Sequence, residues 1–81
     1  MVKLLYFAAL VDRLGTAAEE FELPAGTNTV RQLLVSLRER GGAWDETFGA
    51  DAVRITVNKQ FAGLDTPIKN GDEIAFISVS L

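Results

Sequence analysis

The chain has no cysteine and no histidine. Their absence excludes disulfides, thiolate and imidazole metal sites, and every mechanism that uses a Cys or His nucleophile or base. An extracellular domain this small usually needs disulfide or metal staples, so a chain with neither is expected in the cytosol. Basic residues are also scarce. Eight Lys and Arg against eleven Asp and Glu leave a net charge of −3. The eight are spread thinly, with no basic patch of the kind nucleic acid requires. Long apolar runs are missing too. The run from Val2 to Val11 carries Lys3 within it and is too short to span a bilayer. It has no basic region ahead of it and no polar cleavage region after it, so it does not read as a leader, and no membrane partner is expected.

What remains is ordinary for a soluble globular protein, with 48% hydrophobic and 23% charged residues. Disorder would need the opposite balance. Eighty-one residues without repeat, linker or low-complexity stretch predict a single domain over residues 1–81. A chain of this size buries only about 60% of its unfolded surface, so its core has to be economical.

Val2 to Leu10, rich in β-branched and aromatic residues, predicts a buried central strand, followed by a turn over Asp12 to Thr16. Ala18 to Leu23 alternates, with Phe21 and Leu23 on one face and Glu20 and Glu22 on the other; the two segments predict a β-hairpin. Thr27 or Asn28 is then a candidate N-cap for the plainest helix in the sequence. Val30, Leu33, Leu34 and Leu37 follow at amphipathic spacing, with Arg38 and Arg40 in the last turn and Gly41-Gly42 as the stop.

Trp44 and Phe48, four apart, suit one helical turn tucking two aromatics against the core. Val53 to Val57 is a further strand, Asn58-Lys59-Gln60 a turn, and Phe61 opens a brief extended piece. Thr66-Pro67 starts a loop closed by Lys69-Asn70-Gly71-Asp72, where φ > 0 is well served. Glu73 to Val79 is the last strand. First and last strands are both apolar on two faces, as strands pairing in the middle of a sheet would be. The expected fold class is α+β: a β-grasp, one mixed sheet packed on one main helix.

No catalytic constellation is found. Glu19, Glu20 and Glu22 are expected on a strand edge, and Asp45 and Glu46 in a loop, all as solvated surface. Gly41-Gly42 lacks the strand before it and the Lys-Ser/Thr after it that a phosphate loop needs, so a helix stop explains it. No catalytic residue, metal ligand or cofactor site is predicted.

Three segments together carry a resemblance. Lys3-Leu4-Leu5-Tyr6-Phe7-Ala8-Ala9, then Val57-Asn58, then Asn70-Gly71-Asp72-Glu73-Ile74-Ala75-Phe76 are collinear with the molybdopterin synthase small subunits, within the ubiquitin-like sulfur-carrier family. The resemblance covers essentially the whole chain. It implies a non-catalytic carrier: an adenylating, E1-like enzyme activates the C-terminal glycine carboxylate with ATP, and a sulfur donor converts it to a thiocarboxylate. The tail is then threaded into the large synthase subunit of a heterotetramer. It further implies that Phe7, Phe61 and Ile77 form an apolar patch for the large subunit, with Ser78, Val79, Ser80 and Leu81 extending the contact as an arm.

One departure stands out. The tail reads Ile77-Ser78-Val79-Ser80-Leu81, without the family's proline-rich run and terminal Gly-Gly. Either the diglycine lies beyond this sequence, or the chain has kept a binding surface and lost sulfur transfer. Two other readings are a thiamine-pathway carrier and a ubiquitin-like interaction module with no sulfur chemistry. An apolar patch lacking its partner could also pair two copies, giving a homodimer in isolation.

Overall fold

A computed structural model of the chain describes residues 1–50 and 52–79. The elements run β1 (Val2–Phe7), α1 (Ala9–Leu14), β2 (Ala18–Phe21), α2 (Val30–Arg38), α3 (Ala43–Gly49), β3 (Val53–Val57), β4 (Gln60–Phe61) and β5 (Glu73–Ser78). The strands form one mixed sheet in the order β2-β1-β5-β3-β4. At its centre β1 and β5 lie parallel, with Leu4 beside Ile74 and Phe7 beside Ile77. The remaining neighbours are antiparallel. This is the β-grasp expected from two doubly apolar strands.

Strand alternation decides which side chains meet the helices. Val2, Leu4 and Tyr6 of β1, Ile74 and Phe76 of β5 and Ile55 of β3 turn inward and are buried. They meet Val30, Leu33 and Leu37 of α2 and Phe48 of α3 in one core cluster. The aromatics are in mutual contact: Phe48 meets Phe76 edge-on at 5.0 Å between ring centroids, and Tyr6 stacks on Phe76 at 5.5 Å. Trp44 and Phe48 stack at 6.0 Å, so the expected aromatic turn is α3 itself.

Several sequence expectations need correction. The first strand stops at Phe7, and the predicted turn is absorbed into α1. Leu10 is buried and Leu14 packs on the core, an i, i+4 pair that only a helix brings to one side. The join is Ala8, at φ 57° and ψ −137°. The β1–β2 pair is therefore antiparallel as predicted but connected through a helix, closed by Gly15 at φ 79°. The cap of α2 is Thr29, neither Thr27 nor Asn28. Its hydroxyl accepts from the Gln32 amide at 3.3 Å while the Asn28 amide donates to the Gln32 side chain at 2.7 Å. That near-reciprocal arrangement matches the T-x-x-Q signature of a capping box. Asp45 and Glu46 occupy the first turn of α3 rather than a loop, where negative charge suits the helix dipole. Leu34 is only partly buried, unlike Leu33 and Leu37.

Ala8 offers a direct test. A residue with a Cβ held at that φ and ψ stores about 1–3 kcal/mol of strain. Ala8→Gly is expected to raise stability by roughly 1 kcal/mol in urea unfolding, the relief of strain being partly offset by the greater freedom of glycine in the unfolded chain. An unchanged or lower midpoint would show that the turn is not strained.

Candidate partner-binding face

One face of the sheet is covered by helices; the other is left open by the described residues. Pairing register places Lys3, Leu5 and Phe7 of β1, Glu73, Ala75 and Ile77 of β5, and Arg54 and Thr56 of β3 on the outer face. Phe61 pairs with Thr56 and so shares it. Phe7 and Ile77 are direct lateral neighbours, with Arg54 beside Ile77 on the next strand. The three predicted patch residues thus stand on one surface. Phe61 is the most exposed of them at 73%, Phe7 is 46% exposed, and Ile77 is partly covered by its neighbours.

The predicted arm divides. Ser78 alternates to the helix side of the sheet, opposite Val53, so it does not continue the outer patch. Val79 extends the β5–β3 ladder through its amide, which donates to the Ala52 carbonyl at 3.0 Å, and its side chain is exposed. Ser80 and Leu81 lie outside the described residues. Among the described residues no group of three or more acidic side chains could hold a metal ion, and no helix is long and apolar enough to cross a membrane.

Two turns fix the end of the sheet remote from the tail. Asn58 and Lys59 adopt φ of 51° and 71°, a left-handed pair that closes β3 onto β4. The Asn58 amide group donates to the Asp72 carboxylate at 3.0 Å and its carbonyl oxygen accepts from the Glu73 amide at 3.0 Å. The Lys69 amide donates to the other Asp72 oxygen at 2.9 Å. These donors, Asn58 foremost, hold the Asp72 carboxyl below its ordinary 3.8. The Val57-Asn58 and Asn70-Gly71-Asp72-Glu73 segments, separate in sequence, are therefore two halves of one structural clasp that sets where β4 and Phe61 begin.

Sequence reasoning missed a second cluster. Leu4 is paired with Glu19, so Glu19 turns toward the helix side, not to solvent with Glu20. Its carboxylate takes two hydrogen bonds from the Arg40 guanidinium, at 2.8 and 2.9 Å, and one from the Tyr6 hydroxyl at 2.9 Å. The Arg40 guanidinium also lies 4.3 Å above the Trp44 ring. The Arg40 hydrogen bonds hold the Glu19 carboxyl below its ordinary 4.5. Burial, then Glu19, pushes the Tyr6 phenol well above its ordinary 10.0. The network ties the edge strand β2 to the α2–α3 connection. Its signal in the sequence is faint: alternation puts Glu20 and Glu22 together and Glu19 with Phe21, the apolar side.

The chain thus presents a β-grasp body with one partly apolar sheet face left open among the described residues. The ThiS family model matches residues 4–79, and the chain belongs to that family. It is 30% identical over 76 residues to the molybdopterin synthase sulfur carrier subunit of Escherichia coli (strain K12), covering 94% of this chain and 91% of that protein. Among solved structures it resembles a molybdopterin converting factor subunit 1 of Pyrococcus furiosus, at 29% identity and a TM-score of 0.75 over 98% of this chain and 97% of that one. A complex of subunits 1 and 2 of the molybdopterin-converting factor from Helicobacter pylori contains the same fold, at 20% identity and a TM-score of 0.68, covering 99% of this chain and 95% of that one.

Proposed function

We propose that this chain is the sulfur-carrier small subunit of molybdopterin synthase, a single domain over residues 1–81 that contributes no catalytic residue of its own. The observation that carries the reading is the outer sheet face, where Phe7, Ile77 and the 73%-exposed Phe61 stand together beside the strand from which the tail leaves. The relative from Escherichia coli is a carrier subunit of this synthase, and the structure from Helicobacter pylori is a complex of the two subunits. The partner of the face is the large subunit, in a heterotetramer, with Val79, Ser80 and Leu81 leading into it. The setting is the cytosol, where an adenylating enzyme also meets the chain.

The carrier chemistry is an acyl transfer at the tail. A C-terminal carboxylate attacks the α-phosphate of ATP and releases pyrophosphate. Sulfur from a donor then displaces AMP from the acyl-adenylate and leaves a thiocarboxylate. The body acts as a handle and the tail as the arm. Only glycine passes through a narrow channel without side-chain or φ/ψ conflict, so the reading requires a diglycine following Leu81 in the protein as its cells make it. Intact mass and C-terminal peptide sequencing of protein from its own cells test this. A Gly-Gly extension, with one oxygen replaced by sulfur in the loaded form, supports the carrier. A native terminus at Leu81 removes sulfur transfer. It would favour the second reading, a ubiquitin-like binding module. Co-purification of the large subunit, rather than a thiamine-pathway enzyme, separates the two carrier routes.

Phe61→Asp is expected to weaken large-subunit binding by at least about thirtyfold, because the centre of an interface tolerates an unpaired charge poorly. The fold should be unaffected, since Phe61 contributes nothing to the core cluster. Unchanged affinity by calorimetry would take Phe61 out of the interface.

A further inference from the structure

Arg54 is set among the apolar residues of the outer face. It stands beside Ile77 across the β3–β5 pairing, and its guanidinium lies 6.0 Å from the centre of the Phe61 ring. Three of the chain's other arginines are engaged with carboxylates: Arg31 with Asp65, Arg38 with Asp45 and Arg40 with Glu19. Arg54 has no carboxylate partner among the described residues. On the outer face of β5 the acid is Glu73, four residues from Ile77, roughly 13 Å away at about 3.3 Å per residue. Arg54 is thus a cation standing in an apolar neighbourhood, on a chain whose net charge is −3.

Covering that face without a counter-charge would be costly. An arginine stripped of water and left unpaired loses several kcal/mol of solvation, whereas a facing carboxylate returns it through a forked pair of charge-assisted hydrogen bonds. The Phe61 ring beneath the guanidinium restricts its motion and favours its flat face, so the fork is presented outward at reduced entropic cost. The other cation of the outer face, Lys3, stands beside Glu20 and Glu73 in the strand pairing, so a partner's carboxylate is better met at Arg54.

We propose that Arg54 is a specificity-determining residue of the outer face: it accepts a partner that brings one carboxylate, framed by apolar side chains, against the guanidinium over Phe61. The proposal rests on the reading of this face as the docking surface for the large subunit. The test titrates Arg54→Lys, Arg54→Met, Arg54→Glu and Phe61→Asp, each as the full chain, against the synthase large subunit from the same cells by calorimetry at low and high salt. Unfolding midpoints followed by Trp44 fluorescence check that each variant folds.

Arg54→Met is expected to lose at least about thirtyfold in affinity, the lower end for removing one partner of a covered ion pair. Arg54→Glu should lose more, through repulsion between carboxylates, and Arg54→Lys less than either. The salt dependence of binding should shrink in Arg54→Met. Equal losses in the Met and Glu variants would overturn the carboxylate, since loss of packing alone does not distinguish them. Full affinity in every Arg54 variant, with Phe61→Asp still defective, would overturn the role of Arg54 and leave the docking face standing. Full affinity in Phe61→Asp as well would remove both.

Discussion

Leu33→Asp is expected to abolish folding, whereas Leu34→Asp, one position along the same helix, is expected to leave a folded protein. Leu33 is fully buried, in one cluster with Leu4, Ile74 and Phe76. Truncating such a leucine to alanine already costs about 2–5 kcal/mol, and an aspartate adds an unpaired charge in a space no water reaches. A chain of 81 residues has a total stability of roughly 4–12 kcal/mol at the usual 0.05–0.15 per residue, so the substitution consumes it. Leu34 is different. It lines an open groove with Val53 and Leu64, where a carboxylate can turn to solvent, and a loss of about 1–2 kcal/mol is expected. Far-ultraviolet circular dichroism of the two variants decides the matter. An unfolded Leu34→Asp with a folded Leu33→Asp would mean that the register of α2 is rotated.

Arg40→Ala has the second large effect. It removes a bidentate partner from the Glu19 carboxylate, leaves that carboxylate facing the Tyr6 hydroxyl alone, and uncovers the Trp44 ring. Hydrogen bonds to charged groups and a partly covered cation–π contact together suggest about 2–4 kcal/mol, measurable in urea unfolding. The sign of the pH dependence follows from Glu19. Its carboxyl titrates below the ordinary 4.5 when folded, so its contribution is complete above pH 4.5 and is lost as pH falls through the lowered folded value. Asp72 behaves alike below its ordinary 3.8, but independently of Arg40. The difference in stability between wild type and Arg40→Ala should therefore be constant near neutrality and shrink in acid. A difference that persists unchanged at low pH would assign the loss to packing on Trp44 instead of to the ion pair.

The fold was legible because its strongest signals are periodic. Val30, Leu33 and Leu37 mark one helix face, and β1 and β5 are apolar on both faces because they pair in the middle of the sheet. α1 was hidden by composition: an apolar run from Val2 to Val11 supports strand and helix alike, and only the i, i+4 spacing of Leu10 and Leu14 distinguishes them. The charge of Glu19 suggests surface, whereas alternation puts it on the side of Phe21. Thr29 is distinguished from Thr27 and Asn28 as the cap only by Gln32, which stands at the position that completes the box.

The candidate site divides in the same way. Aromatic identity and the turn before it single out Phe61 in the sequence, and Gly71-Asp72-Glu73 points to the clasp that positions the last strand. By themselves, the residues determine a small cysteine-free chain, its main helix and its β-grasp class. The tertiary structure decided that Phe7, Ile77 and Phe61 share a face, that Ser78 does not, and that Arg54 stands among them without a carboxylate partner among the described residues. Those facts depend on strand order and register between β1, β5, β3 and β4, which join residues some seventy positions apart. Local periodicity says which side of its own strand a side chain takes; only pairing across the sheet says what stands beside it.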